Sequence, residues 1–130
     1  MNLQVGVKIL ISNENGKFLF LRRSHQVEST KHKLWDLPGG RIYPQESLHE
    51  ALKREVKEET NLELLKVDRL LGAQDIFVKQ KDLHVVRLTY EGKASGEVSL
   101  SDEHEEFKWA SKNELISSGD AIDSYLSEVI

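Results

Sequence analysis

The sequence predicts a layered α/β or α+β domain, on three observations. Val5, Val7, Ile9 and Ile11 alternate with a period of two, as in a half-buried strand. Residues 48–60 instead space their apolar side chains as a helix does. Two further runs, Val67–Val78 and Leu83–Glu91, read as strands, so strands and helices interleave along the chain.

The elements follow in order. After the first strand, Asn15-Gly16 is a tight-turn signal, and Lys17 to Arg23 reads as the returning strand. Ser24 to Lys33 is polar and predicts a loop, and Trp35 to Gly40 leads into the helix at Leu48 to Thr60. A turn near Lys81-Asp82 joins the two later strands, and the polar, acidic stretch from Gly92 to His104 predicts another loop. Phe107 to Ala110 predicts a short strand. Ser111-Lys-Asn-Glu114 matches a capping box, starting a second helix that breaks near Gly119 and continues towards Ile130. No repeat, linker or low-complexity stretch is present, and 130 residues predict a single domain with a sizeable core.

Composition narrows the function classes. The net charge of −4 argues against general nucleic-acid binding, which leaves a basic footprint. An acidic chain still binds phosphates when a divalent metal stands between them. The absence of cysteine excludes disulfides and thiol chemistry. The N-terminal segment reads as a strand and not as a signal peptide, and no apolar run approaches transmembrane length, so a soluble cytoplasmic protein away from membranes is expected.

The helix itself carries the strongest signal. Ser47-Leu-His-Glu50 is a capping box at its start, and Asn61 stands where a left-handed residue should end it. At 100° per residue, Leu48, Ala51, Leu52 and Val56 form the inward stripe. Glu55 and Glu59 fall inside that stripe and Glu58 on its edge, while Glu50, Lys53 and Lys57 point the other way. A solvated, salt-bridged helix is the ordinary explanation of so many charges. Carboxylates turned inward, however, must be paired, protonated or metal-bound. Arg54 can neutralise one neighbour, by an i,i+4 contact with Glu58 or by folding back onto Glu46, but it cannot satisfy four glutamates. A hard divalent cation, Mg²⁺ or Mn²⁺, suits such an oxygen cluster. Leu37-Pro38-Gly39-Gly40, just before the helix, is a turn through which backbone can approach closely.

From Gly40 the segment runs G-x5-E46-x7-R54-E55-V56-x-E58-E59-x-N61-L62, and it resembles the Nudix box. Asn61 replaces the last glycine, a conformationally mild departure, and the other fixed positions are kept. Phe18 to Arg23 and Lys33 to Gly40 also resemble the strand and loop before the box in small MutT-like members of that family. The resemblance implies an α/β/α sandwich around a mixed β-sheet. It implies metal-dependent hydrolysis of a nucleoside diphosphate linked to another moiety, with water attacking phosphorus. Glu55, Glu58, Glu59 and the Gly40 carbonyl would hold the metal, any of those glutamates, Glu55 or Glu58 in particular, would orient or deprotonate the water, and Arg54 with Glu46 would support them. Relatives add an acidic residue from a later loop, here Glu103 or Glu105. Monomer and homodimer both remain open.

Other candidates stand beside bland explanations. Arg22 and Arg23 end a strand expected to point at the site and suit phosphate, or they serve edge-strand solubility. Trp35 stacks a base or caps the core, and Gly39 lies where substrate could approach. The five histidines share no metal-ligand spacing and read mostly as surface residues. Neither the downstream proline that accompanies ADP-ribose hydrolysis nor the tyrosine that accompanies dinucleoside polyphosphate hydrolysis is present, since Val78, Lys79 and Gln80 fill the tyrosine positions. A nucleoside triphosphate, including an oxidised one such as 8-oxo-dGTP, is the expected substrate. A nucleotide sugar or other diphosphate, and a non-catalytic nucleotide-binding module, are the alternatives.

Overall fold

The structure, a computed structural model, describes residues 1–26 and 33–130. Most of the loop expected between Ser24 and Lys33, with His32, lies outside the described residues.

The central strand β1 (Asn2–Ser12) runs parallel to β6 (Leu83–Ser95) along its whole length. β5 (Glu63–Val78) continues the sheet beyond β6 as an antiparallel edge. On the other side, β2 (Phe18–Gln26) pairs with β1, β3 (Lys33–Asp36) and β7 (His104–Ala110), and β4 (Gly39–Arg41) pairs with β1. The result is a mixed, curled seven-stranded sheet. In the β1–β2 turn, the Asn13 side chain accepts from the Asn15 and Lys17 amides at 2.9 and 3.0 Å, and Gly16 takes the left-handed conformation.

Both sheet faces are covered. On one, Val7, Ile9, Ile11, Leu19 and Leu21 pack against Ala51, Leu52 and Val56 of helix α1 (Leu48–Thr60). On the other, Leu10, Phe20, Trp35 and Leu37 meet Leu115 of α2 (Lys112–Ser117) and Leu126 of α3 (Ser124–Val129). The first strand is therefore buried on both faces where it was expected to be half-buried, because helices flank the sheet on either side. The helix boundaries follow their signals. Ser47 accepts from the Glu50 amide, Ser111 and Glu114 close a complete capping box, and Asp123 caps α3 after the break at Gly119. The chain therefore folds as the α+β sandwich its sequence predicts.

The differences lie at strand ends. β5 starts at Glu63 and β6 runs on to Ser95, since the two strands satisfy each other's ladder through residues too polar to read as strand. Strands β3 and β4 escape sequence reading because they are three or four residues long and β4 carries two glycines. Among the described residues, no helix is long and apolar enough to cross a membrane.

Asn61 closes α1 in the left-handed conformation, with φ 63°, and its N–H reaches the Lys57 carbonyl. Asn61→Gly is therefore expected to keep stability within about 0.5 kcal/mol, while Asn61→Val loses roughly 1–2 kcal/mol, read from urea unfolding midpoints.

Candidate functional site

Helix α1 presents its carboxylates through one guanidinium. Arg54 Nε and Nη2 donate to the two Glu46 carboxylate oxygens at 2.8 and 3.0 Å, and Nη2 also donates to the Arg41 carbonyl at 3.0 Å. Nη1 donates to Glu55 at 2.7 Å and, weakly, to Glu58 at 3.4 Å. The ring of Tyr43 lies 4.1 Å from the guanidinium carbon. Both contacts expected of Arg54, the fold-back and the i,i+4, are thus made at once. Hydrogen bonds from Arg54, then from the Tyr43 amide, hold the Glu46 carboxyl down to about 2.

Glu59 is the buried member, 5% exposed, and its Oε2 accepts the Gly39 N–H at 2.8 Å. Burial pushes its carboxyl up to about 8. Lys8 and the Gly39 N–H oppose that rise, and the charges of Glu55 and Glu103 add to it. Half-buried Glu55 is also raised, first by burial and then by Glu58 and Glu103, with Arg54 opposing. Glu58 is exposed at the mouth of the group.

Strand register decides which glycine faces these acids. Ile9 donates to the Pro38 carbonyl and Ile42 to the Val5 carbonyl, with Val7 opposite Gly40 between them. By the alternation of an antiparallel ladder, the Gly40 N–H and C=O face β1, and those of Gly39 face away from it, towards Glu59. The Gly40 carbonyl expected among the metal ligands is therefore turned into the sheet, and the Gly39 carbonyl is the one directed outward. Gly39 requires glycine, and a side chain at Gly40 would displace the Glu55 carboxylate. A Cβ on Gly39 would lie 2.0 Å from the Val7 oxygen, at a φ of 148°, and one on Gly40 would lie 2.6 Å from Glu55 Oε1.

The acidic loop docks on the end of α1. Ser99 and Ser101 amides donate to the Thr60 and Glu59 carbonyls, and the Ser24 amide donates to the Glu103 carbonyl. This brings Glu59, Glu103 and His104 together, with one potential ligand atom of each within 4.8 Å of the others. Glu105 is engaged elsewhere, accepting from Lys33 Nζ at 2.8 Å and lying 3.7 Å from Arg22. His104 departs from the surface expectation: it is 8% exposed, and burial, with Lys8 and Arg23 nearby, pushes its imidazole down to about 4 against the opposing field of Asp36.

A ladder of alternating charges continues from there. Lys8 Nζ donates to Asp36 Oδ2 at 3.1 Å, and Arg23 bridges Asp36 and Asp123. Arg87 reaches Asp123 at 3.1 Å. Burial works against the Asp36 charge, yet Lys8, Arg23 and Arg87 hold its carboxyl below the ordinary range. Arg23, Arg41, Arg87 and Tyr125 line a cleft of about 700 Å³. Arg22 lies on the other face of β2, 3.3 Å from Glu106. Trp35 is 2% exposed, its Nε1 donates to Asp120 at 3.1 Å, and Lys108 covers its ring, so it caps the core and offers no stacking face. Lys8, Asp36, His104, Arg41, Arg87 and Asp123 were missed in the sequence. The available signals were a lysine inside an apolar strand and an aspartate between Trp35 and Leu37, both of which require buried partners.

The NUDIX domain family model matches residues 2–128, and the chain belongs to that family. The crystal structure of a MutT protein from Methanosarcina mazei Go1 superposes with a TM-score of 0.82 at 32% identity, over 98% of this chain and 90% of that one. The nucleoside triphosphatase NudI of Escherichia coli O17:K52:H18 is 29% identical over 91 residues, 63% of this chain. A putative 8-oxo-dGTP diphosphatase of Bacillus subtilis is 42% identical over 55 residues, 42% of this chain. The matched stretch spans 64% of the first relative's length and 33% of the second's.

Because Glu59 ionises less readily folded than unfolded, its contribution to stability is present below about pH 4.5 and is lost as pH rises through 8. Without added cation, the urea midpoint is expected to fall from pH 5 to 8.5. Glu59→Gln should flatten that fall, and a divalent cation should restore the midpoint chiefly at the alkaline end.

Proposed function

We propose that this chain is a metal-dependent nucleotide pyrophosphohydrolase that splits a nucleoside triphosphate into monophosphate and pyrophosphate, its 130 residues acting as one catalytic domain. One observation carries the reading: Glu55, Glu58, Glu59 and Glu103 converge, with Arg54 and Lys8 the chief opposing charges among the described residues, and the group destabilises itself unless a cation or a proton joins it. An oxygen-rich set of this kind fits Mg²⁺ or Mn²⁺, with Glu55, Glu58, Glu59, Glu103 and the Gly39 carbonyl as the groups that would hold it. Glu103 is preferred to Glu105, which is occupied by Lys33 and Arg22.

When bound, such a cation lowers the pKa of a coordinated water and offsets charge developing on the phosphates. The residues supply the rest. Arg54 fixes Glu55 and, through Glu46, the entry to α1. The Gly39 N–H fixes Glu59. Glu58, exposed and only weakly held, is free to take the proton of the attacking water, with Glu55 as the second candidate. Water attacks phosphorus, the bridging P–O bond breaks, and pyrophosphate leaves. Arg23, Arg41 and Arg87 place guanidiniums along the adjoining cleft, where a polyphosphate and its nucleoside can lie. Positioning and electrostatics carry most of the rate in phosphoryl transfer.

The names printed for the NudI and Bacillus subtilis relatives support a triphosphate, including an oxidised guanine nucleotide. We place a small-molecule substrate and no nucleic-acid partner here, the latter in keeping with the acidic net charge, and a cytoplasmic location.

Two outcomes follow. In a panel of triphosphates, nucleotide sugars, ADP-ribose and dinucleoside polyphosphates with Mg²⁺, a triphosphate should give the highest kcat/KM, with pyrophosphate as product; preference for a sugar nucleotide would overturn the substrate choice. Glu59→Gln should lower kcat by roughly 100-fold or more, since metal stabilisation is worth several kcal/mol at about 1.4 kcal/mol per tenfold. No metal-dependent hydrolysis by the unaltered protein across the panel would leave only a binding module.

A further inference from the structure

We propose that His104 supplies a nitrogen ligand to the divalent cation held by Glu59 and Glu103, making the site a mixed oxygen–nitrogen site. The proposal rests on the metal-site reading above and adds to it a donor of a different chemical class.

Three observations converge on this histidine. First, its side chain is buried, 8% exposed, and its Nδ1 has no hydrogen-bond partner among the described residues. A buried polar atom left unbonded costs free energy, and native proteins keep few of them without a use. Second, one of its ring nitrogens lies within 4.8 Å of a carboxylate oxygen of both Glu59 and Glu103. Donors on an octahedral ion with bonds of about 2.1 Å stand roughly 3.0 Å apart when adjacent and about 4.2 Å when opposite, so side-chain rotations that draw the three together by an ångström or two would seat a cation among them.

Third, the placement is rigid and the competing partner is taken. The His104 backbone donates to the Ser101 carbonyl, and His104 pairs with Arg23 at the start of β7. The other buried carboxylate in its surroundings, Asp36, is already bonded by Lys8 at 3.1 Å and by Arg23. Glu59 spends one oxygen on the Gly39 N–H. The imidazole thus has one ring nitrogen near the two carboxylates and a buried Nδ1 that no group among the described residues engages.

The chemical consequence is selectivity. Affinity of a nitrogen donor rises along the series from Mn²⁺ through Co²⁺ to the later divalent ions, and Mn²⁺ accepts an imidazole more readily than Mg²⁺, which keeps oxygen and water. The unaltered protein should therefore bind Mn²⁺ more tightly than Mg²⁺ by a wider margin than a variant lacking the ring.

The test is pulsed EPR on the full chain loaded with one equivalent of Mn²⁺. The unaltered protein should show ¹⁴N modulation from a directly bound imidazole. Labelling only histidine with ¹⁵N should convert that signal, a readout that requires no mutation and no folding control. His104→Gln should abolish it and weaken Mn²⁺ binding about tenfold or more, with a smaller effect on Mg²⁺. Stoichiometric Mn²⁺ binding without a histidine signal would overturn the nitrogen ligand and leave the carboxylate site standing. A histidine signal that survives in His104→Gln would assign it to another histidine and also overturn the proposal. If Mn²⁺ does not bind at all, the metal-site reading itself fails, and this inference with it.

Discussion

The carboxylate of Glu59 is the group around which the rest of the molecule is arranged. It sits in the interior, one oxygen taken by the Gly39 N–H. A carboxylate in that position is unfavourable in the charged form unless neighbours offset the lost hydration. The fold supplies those neighbours from three places. Strand β4 brings Gly39, which lies close against β1 only because it has no Cβ. Strand β1 brings Lys8, and the loop before β7 brings Glu103 and His104 by binding the last carbonyls of α1. Two of these features soften the charge, and Glu103 sharpens it. The balance leaves a group short of positive charge, which is the condition for capturing a divalent cation.

Around it the molecule divides its cations by task. Arg54 is consumed within α1, where its planar fork bonds Glu46 and Glu55 and rests on Tyr43. Lys8, Arg23 and Arg87 are threaded between Asp36 and Asp123, which connects β1, β2, β6 and the start of α3. Removing one partner of so buried a chain leaves an uncompensated charge, so the ladder resists change more than an exposed pair does. Its Arg23 and Arg87 also line the cleft of about 700 Å³. Lys8 links this ladder to the acidic group, since it bonds Asp36 and its charge opposes the rise of the Glu59 carboxyl.

Much of this was legible in the chain. The helix and its caps followed from Ser47 and Asn61, and the inward turn of Glu55 and Glu59 followed from helical spacing. The strands with clear alternation were found, and those defined only by pairing were not. β3, β4 and the polar ends of β5 and β6 exist because a neighbour completes their hydrogen bonds, a fact no local pattern records. The same reason explains Gly40: sequence identifies a glycine at the helix entry, but only the β1–β4 register shows that its carbonyl is used in the sheet. Trp35 was ambiguous because an aromatic ring suits either a base or a core.

By itself, the sequence determined the family, a layered domain of strands and helices, and which helix carboxylates turn inward. Each is written in short-range spacing, over a few turns of helix or a few residues of strand, where chain geometry alone fixes which side chains share a face. Tertiary structure decided which of Glu103 and Glu105 meets Glu59, that His104 is buried against them, and that Arg23 and Arg22 part to opposite sides of β2. Those choices depend on contacts between segments far apart in the chain. Burial there sets both the charge of each group and what it can bind, so they exist only once the sheet, the helix and the acidic loop have closed on one another.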